Sequence, residues 1–518
     1  MIHDLLTADP QSVNRAEIAI VGAGAAGIAL AIELAASGKD VLLLEGGGAN
    51  FEEDSQSPYR SETLGLPHRG IHTGRFRVKG GTTTMWGGQI LELDDTDFQH
   101  RPWVRGSGWP IHKSELTPYY SRALKIEGVD SSILNDGDVW KALREPPPKF
   151  HNLESYLSRW CPEPNFARLH RRGLEQDSRI QVWLHANAVE LLFENQNAVG
   201  VRCKTLGNTE SIFYARQFVF ALGAIESSRF FLQPRSTGSL PWNQSDLLGS
   251  HFQDHIDSTA AIVRPISLPA FHREFDTIFL RGHKYNPKLR LSWNAQQQAQ
   301  VLNVGATMFS VSSADEILTD LKMTAKHILR GRFDELSSSS LLKMLRHSPL
   351  LVRQVYRFAF EHRSYTPASS KIKLRVHCEQ EPDSASTITL SDERDVLGLL
   401  RTRLTWRISP AELRTIRRFV EIVQSSLRHV AEIIPDPDLF AEDERFIAHC
   451  EDSFHHMGGM RMSSSRSSGV VDTDLKLYGT DNVFICSSAV FPTSGFSNPT
   501  HTLLALAARL ADHLTHRT

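Results

Sequence analysis

Residues 17–45 constrain the chain more than any other stretch. They read Glu17-Ile-Ala-Ile-Val21, then Gly22-Ala-Gly24-Ala25-Ala26-Gly27, an apolar run from Ile28 to Ala36 closed by Ser37-Gly38, then Val41–Leu44 and Glu45. A short β-branched run predicts a buried parallel strand, the apolar run a helix, and Val41–Leu44 a second strand. Together they form a βαβ unit with the dinucleotide fingerprint. Gly22 permits the tight turn, Gly24 lets backbone approach a pyrophosphate, and Gly27 lets helix and strand pack closely. The phosphates would rest on the helix N-terminus, where unpaired N–H groups and the dipole favour anions. Glu45 can accept hydrogen bonds from both ribose hydroxyls and would repel a 2′-phosphate, which disfavours an NADP-type ligand. A lone glycine motif is weak evidence, but strand, glycines, helix, strand and acid in order are strong. The unit does not decide between FAD and NAD.

The 518 residues are too many for one ordinary core, and two domains are expected. A hydrophobic content of 41% with 22% charged residues reads as globular and soluble, and a net charge of -2 gives no reason to expect nucleic acid as a partner. No apolar run reaches eighteen residues, so no transmembrane helix is expected. Met1 to Arg15 is polar and lacks the apolar core of a signal peptide. The five cysteines are scattered, with no Cys-x-x-Cys pair and no haem-attachment motif. Reduced thiols in a cytoplasmic protein are the expectation.

Two later segments bear on the cofactor. Arg75 to Gln89 is a dense glycine loop containing Gly80-Gly81-Thr82-Thr83-Thr84-Met85-Trp86-Gly87-Gly88, and such density lets backbone come close to a ligand. Near the C-terminus stand Ser453-Phe-His455-His-Met-Gly458-Gly-Met-Arg461-Met462, then Ile485-Cys-Ser-Ser488-Ala489-Val-Phe-Pro492, Asn498-Pro499-Thr500 and an apolar helix from Thr502 to His513. These segments resemble the glucose–methanol–choline (GMC) family of oxidoreductases. The resemblance extends to Leu184-His185-Ala-Asn-Ala188-Val189, to Phe218–Ala224 with Glu226-Ser227, and to Leu248-Gly249 with Asp254-His255. Glu379-Gln380, Pro382, Asp395 and Gly398 are similar to the bacterial, sugar-oxidising branch.

The resemblance implies FAD. It implies contacts from Ala25, Ala26, Gly46 and Arg75, from the Gly80–Gly88 loop, from Ala188 and Val189, from Ala221 and Gly223, and from Ser488, Ala489, Asn498, Pro499 and Thr500. Some relatives carry a histidine bonded to the flavin at the Met85 position. Methionine offers no comparable nitrogen, so non-covalent FAD is expected. Ser487 departs from the pattern, because many relatives have Asp there.

Removing hydride from an alcohol carbon leaves a hydroxyl proton to place, and an imidazole suits that transfer. By its spacing to Gly458, Arg461 and Met462, His455 falls on the family's catalytic position, and Asn498 on that of its partner across the substrate oxygen. His501 is a rival second base. His72 and His255 read as structural or cofactor-adjacent. No ligand spacing repeats among His455, His456 and His501, so no metal centre is expected.

The expected fold is α/β. A Rossmann-like FAD-binding domain in three parts, 1–100, 176–256 and 449–518, interleaves with a substrate or cap region, 101–175, and an α+β substrate-binding domain, 257–448, built on an antiparallel sheet. Ile372–Val376, Thr387–Leu390 and Arg403–Trp406 are expected to form that sheet. A basic helical insertion, 321–363, interrupted by Pro349, reads as a solvated hairpin, a lid, or a surface for an anionic partner or peripheral membrane contact. The expected activity is oxidation of an alcohol, on a sugar, glycoside or polyol by resemblance. The alternatives are a non-sugar alcohol, an FAD-containing lyase, or a nicotinamide enzyme. The electron acceptor stays open between O2 and a quinone or separate redox partner.

Overall fold

A computed structural model describes residues 1–8, 14–234, 242, 246–311 and 348–516. The first sheet has eight strands among these residues. The fingerprint strand Asn14–Val21 lies in its middle, between Val41–Leu44 and Glu210–Phe220, parallel to both. Ile180–Leu184 and Ile2–Asp4 continue the parallel set on the Val41 side. On the other side Glu210–Phe220 pairs antiparallel with Asn197–Lys204, which pairs with Asn187–Glu194. Its last residues pair parallel with Val483–Ile485. Ile18–Val21 and Val41–Leu44 are buried along their whole length, as strands covered on both faces must be.

Helix Ala25–Ala36 follows the glycines and ends at Ser37, as the sequence predicts. Against it packs helix Pro499–His516, and against that helix Lys113–Ile126. Pro499 occupies the first helical position, where its fixed φ is suitable and no N–H is needed. The start of this helix therefore lies close to the fingerprint turn, about 475 residues away along the chain.

The second sheet has nine strands among the described residues. Its main path runs Ala431–Pro435, Ile256–Pro265, Lys371–Cys378, Val304–Val311, His283–Leu291, Leu153–Trp160 and Gln89–Ile90, all antiparallel. Lys371–Cys378 shows why it is one-sided. Ile372, Leu374, Val376 and Cys378 enter the core, while Lys373, Arg375 and His377 face the other way. Helix Pro410–Leu427 covers the apolar face, started by a capping box between Ser409 and Glu412. The polar face meets the C-terminal segment. A Cβ on Gly305 would stand 2.7 Å from the Phe496 ring and 3.0 Å from Tyr156 Oη.

Of the three strands expected in one antiparallel sheet, only Lys371–Cys378 joins it. Thr387–Arg394 and Leu400–Trp406 form a hairpin in a separate three-stranded sheet, closed by the parallel strand Glu62–Gly65. Most of the basic insertion 321–363, namely 321–347, lies outside the described residues. Its end is a helix, Ser348–Phe360, in which Pro349 sits in the first turn and interrupts nothing. Among the described residues no helix is long and apolar enough to cross a membrane.

Candidate active site

Two glycine loops face each other at the end of the first sheet. Gly22 has φ 106°, and a Cβ there would stand 2.6 Å from the Ala221 carbonyl oxygen. A Cβ on Gly27 would collide with the Gly22 carbonyl. These two glycines therefore serve the protein's own packing. Gly24 differs, because a Cβ there meets nothing within 4 Å. It caps helix Ala25–Ala36 with no side-chain hydrogen bond, so the first N–H groups of the helix face open space. Gly81, at φ 53°, brings the second loop so near that its Cβ would lie 2.9 Å from Gly24 Cα. An uncapped helix start, a residue without a side chain and a second loop at contact distance suit a dinucleotide pyrophosphate.

A cavity of about 230 Å³ opens there. Of the expected contacts, Gly22, Gly24, Ala25, Ala26, Glu45 and Gly46 line it. So do Gly81, Thr82, Thr83 and Trp86, and Ala188, Ala221, Gly223 and Thr500. Glu45 is buried, and its two oxygens accept from Ala23 N–H (3.0 Å) and Gly47 N–H (2.9 Å). Burial raises its pKa, against those backbone donors and the Arg77 charge.

A second cavity, about 640 Å³, shares the wall made by Tyr59, Phe76, Thr82, Trp86, Gly223 and Thr500. It is lined by His455, His456, Ser488, Asn498 and Pro499, and by Arg75, Met85, Gly87 and Gly88. Gly80 turns the loop at φ 101° without lining either cavity, and Val189 and Ala489 are buried away from both. Arg75 lines the cavity but its guanidinium is engaged within the protein. It binds Glu226 at 2.7 Å and the carbonyls of Ile71 and Tyr59, over whose ring it lies. Glu226 in turn holds Arg229, which holds Asp395 at 2.6 Å. Ser487, standing where many GMC relatives have Asp, accepts from Ala489 N–H and Ser227 Oγ.

His455 stands at the meeting of three segments. Phe454 before it has φ 61°, and Gly458 after it has φ 73°, with a Cβ that would collide with the His251 carbonyl. Buried Asp254 accepts from the backbone N–H of both Ser453 and His455. The ring of His455 has two partners: Asn498 Nδ2 lies 2.9 Å from Nε2, and His255 Nδ1 lies 2.9 Å from Nδ1. The far nitrogen of His255, Nε2, meets the Ser494 carbonyl at 3.4 Å.

A carbonyl can only accept, so His255 carries its proton on Nε2 and its Nδ1 is an acceptor. His455 therefore donates from Nδ1 and keeps its Nε2 lone pair toward Asn498. Burial, reinforced by the neighbouring His255, His377 and Lys288, holds the pKa of His455 well below the ordinary histidine value, so at neutral pH Nε2 is unprotonated and its lone pair accepts from Asn498. The geometry offers a base, and beside it an amide N–H, at one point of a cavity wall.

His501 is not part of this arrangement. It is buried, bonded through Nδ1 to Glu127 at 2.8 Å and stacked on Tyr120. His72 is exposed. The sequence reading passed over Tyr59, Phe76 and Arg77, which line the first cavity, and the orienting role of His255. Asp254-His255 was the visible trace of that role.

Residues 382–507 match the family model described as GMC oxidoreductase. The chain is 25% identical over 300 residues, 46% of its length, to the oxygen-dependent choline dehydrogenase of Photobacterium profundum, covering 51% of that protein. It is 26% identical over 28% of its length to the C-glycoside 3-oxidase of Microbacterium trichothecenolyticum, covering 27% of it. The chain thus spans about half or less of the length of these curated relatives. The crystal structure of pyridoxine 4-oxidase from Mesorbium loti superposes with a TM-score of 0.59 at 16% identity, covering 97% of this chain and 99% of that one. The likeness is one of fold, an α/β lobe joined to a lobe built on an antiparallel sheet. The region that matches the GMC oxidoreductase model, 382–507, is the one that carries His455 and Asn498.

Proposed function

We propose that this protein oxidises an alcohol carbon to a carbonyl with FAD as the acceptor, on a sugar, glycoside, polyol or related alcohol. The observation that carries the reading is the ordered chain Ser494 carbonyl, His255, His455, Asn498, which presents an unprotonated Nε2 to a cavity sharing its wall with the glycine cradle. His455 accepts the hydroxyl proton at Nε2, and Asn498 donates to the same oxygen to hold it in place. Flavin, when bound, supplies acceptance of the hydride. The helix beginning at Pro499 points its positive end at that region, favouring the negative charge of a reduced cofactor.

Gly24, Gly81 and the start of helix Ala25–Ala36 hold the pyrophosphate, and Glu45 keeps its unused lone pairs for ribose. Met85, exposed at the cavity, lacks a nucleophilic nitrogen, which supports non-covalent binding. We assign the FAD-binding domain to 1–100, 176–256 and 449–518, and the substrate side to 101–175 and 257–448. The electron acceptor is O2 or a quinone or separate redox partner.

The test is an anaerobic absorbance spectrum of the purified protein before and after addition of sugars, glycosides, polyols and simple alcohols. Flavin bands that bleach with an alcohol support the proposal. Replacing His455 by Ala is expected to keep the flavin and slow bleaching by about 10²- to 10⁴-fold. Absence of flavin after reconstitution would defeat the reading. A flavin that no alcohol reduces, with His455-dependent cleavage of an adduct, would turn the assignment to a lyase.

A further inference from the structure

The polar face of the nine-stranded sheet holds a charge that the protein does not neutralise. Lys288 and Tyr156 are cross-strand neighbours there, each only 7% exposed. Among the described residues neither the ammonium nor the phenol hydroxyl makes a hydrogen bond or ion pair, and neither atom is sealed off completely, so both are open to a bound group. The nearest opposite charge, Asp257, is committed to a two-oxygen clamp on Arg375. An ammonium with so little solvent around it and no carboxylate of its own gains from an added counter-charge.

Neither residue lines the two cavities above, but the pair adjoins the segment that carries Asn498. Strand register places Lys288 on the same face as Thr307, Arg375 and His377. Tyr156 packs on Phe496, with ring centroids 5.7 Å apart, and Phe496 is two residues from Asn498. The Lys288 charge is felt at both His455 and His377.

We infer that Lys288 and Tyr156 form a receptor for a carboxylate on the substrate, so that the preferred alcohol is a hydroxy acid or sugar acid. Two donors, an ammonium and a hydroxyl, match the two oxygens of a carboxylate. A phosphate dianion would leave a charge unmatched by one ammonium. The inference rests on the alcohol oxidation proposed above. The carboxylate does not react. The carbon bearing the hydroxyl loses its C–H pair to the flavin and its O–H proton to His455 Nε2, and the product is the corresponding oxo acid. Burial brings Lys288 down to about 8, with Asp257 holding it up and Arg375 and Lys284 pressing it lower. Burial pushes Tyr156 up and His377 and His455 down, so these three stay neutral near that pH. Preference for an acid should therefore fade as pH rises through about 8.

The experiment uses the holoenzyme under anaerobic conditions and four matched probe pairs: D-gluconate and D-glucitol, D-glucuronate and D-glucose, D-glycerate and glycerol, L-lactate and 1,2-propanediol. Calorimetry gives the dissociation constant of each, and flavin bleaching gives the limiting rate. At least one acid is expected to bind about 10- to 100-fold more tightly than its neutral partner, the range of a charge-assisted hydrogen bond. Lys288→Met should erase that ratio, Lys288→Arg should keep most of it, and Tyr156→Phe should reduce it several-fold. Lys288→Met should also raise the melting temperature, because it removes an unpaired buried charge. The inference is overturned if no acid binds better than its partner, or if Lys288→Met leaves the ratio intact. Bleaching by neutral alcohols alone would overturn the receptor and leave alcohol oxidation standing. Lys288-dependent binding of an acid without any bleaching would do the reverse.

Discussion

On the proposed mechanism, the proton-accepting nitrogen of His455 is selected by an atom two residues of hydrogen bonding away. The Ser494 carbonyl fixes the proton on His255, and His255 fixes the one on His455. Replacing His255 by Leu removes the acceptor for His455 Nδ1–H and lets the ring turn or change tautomer. Flavin reduction should slow by roughly 10- to 100-fold, the usual cost of losing a group that orients a functional ring, with substrate affinity little changed. His255→Gln, which can still accept, should recover part of the rate. Anaerobic stopped-flow separates the two quantities. The sign of the pH dependence follows from burial. Because the pKa of His455 lies well below 6.5, the base form persists on acidification past the ordinary histidine range. The reduction rate should be flat downward from neutral pH through 6.5 and fall only at more acid values; a half-loss near 6.5 would mean that His455 is not the base. His455 and Asn498 were legible because local motifs frame them. His255 was not, because its function is a contact across 200 residues. Arg75, a cofactor contact by resemblance, lines the second cavity while its donors hold Glu226 and backbone carbonyls, an engagement that local sequence does not record.

Among elements, the fingerprint turn separates glycines that serve the fold from one that serves a ligand. Gly27→Ala drives a methyl onto the Gly22 carbonyl and should lose both flavin and folded, soluble protein. Gly24→Ala has room and an ordinary φ of -83°. It should melt near the parent's temperature when both are freed of cofactor, yet retain far less FAD. Thermal unfolding and the ratio of flavin to protein absorbance check the pair. This unit was read from sequence to within a few residues, because period, glycine spacing and caps agreed over one local stretch. The hairpin Thr387–Trp406 was recognised as strands but given to the wrong sheet. Its partner, Glu62–Gly65, is four residues with little pattern, paired across about 340 residues, and local sequence holds no record of such a pairing.

For the whole molecule, a fully buried ion pair ties segment 101–175 to segment 257–448, distant parts of the chain on the substrate side. Arg101 meets both oxygens of Glu379, at 2.7 and 2.5 Å, and Glu379 also takes the Asn303 N–H. Removing one partner strands the other charge, so Arg101→Met should cost about 3–5 kcal/mol in denaturant unfolding. The double change Arg101→Met with Glu379→Met should return much of that loss. The order in which the chain is made gives the first sheet a further consequence. Its central strands are complete by Phe220, but the helix that covers Ala25–Ala36 begins only at Pro499. At about 5–20 residues per second, a ribosome needs roughly 15–60 s to cover that interval. For that time the apolar flank of the nascent fingerprint helix has no lid of its own, so a holding chaperone, or a slowed ribosome, would govern the yield of active protein more than the stability of the finished fold.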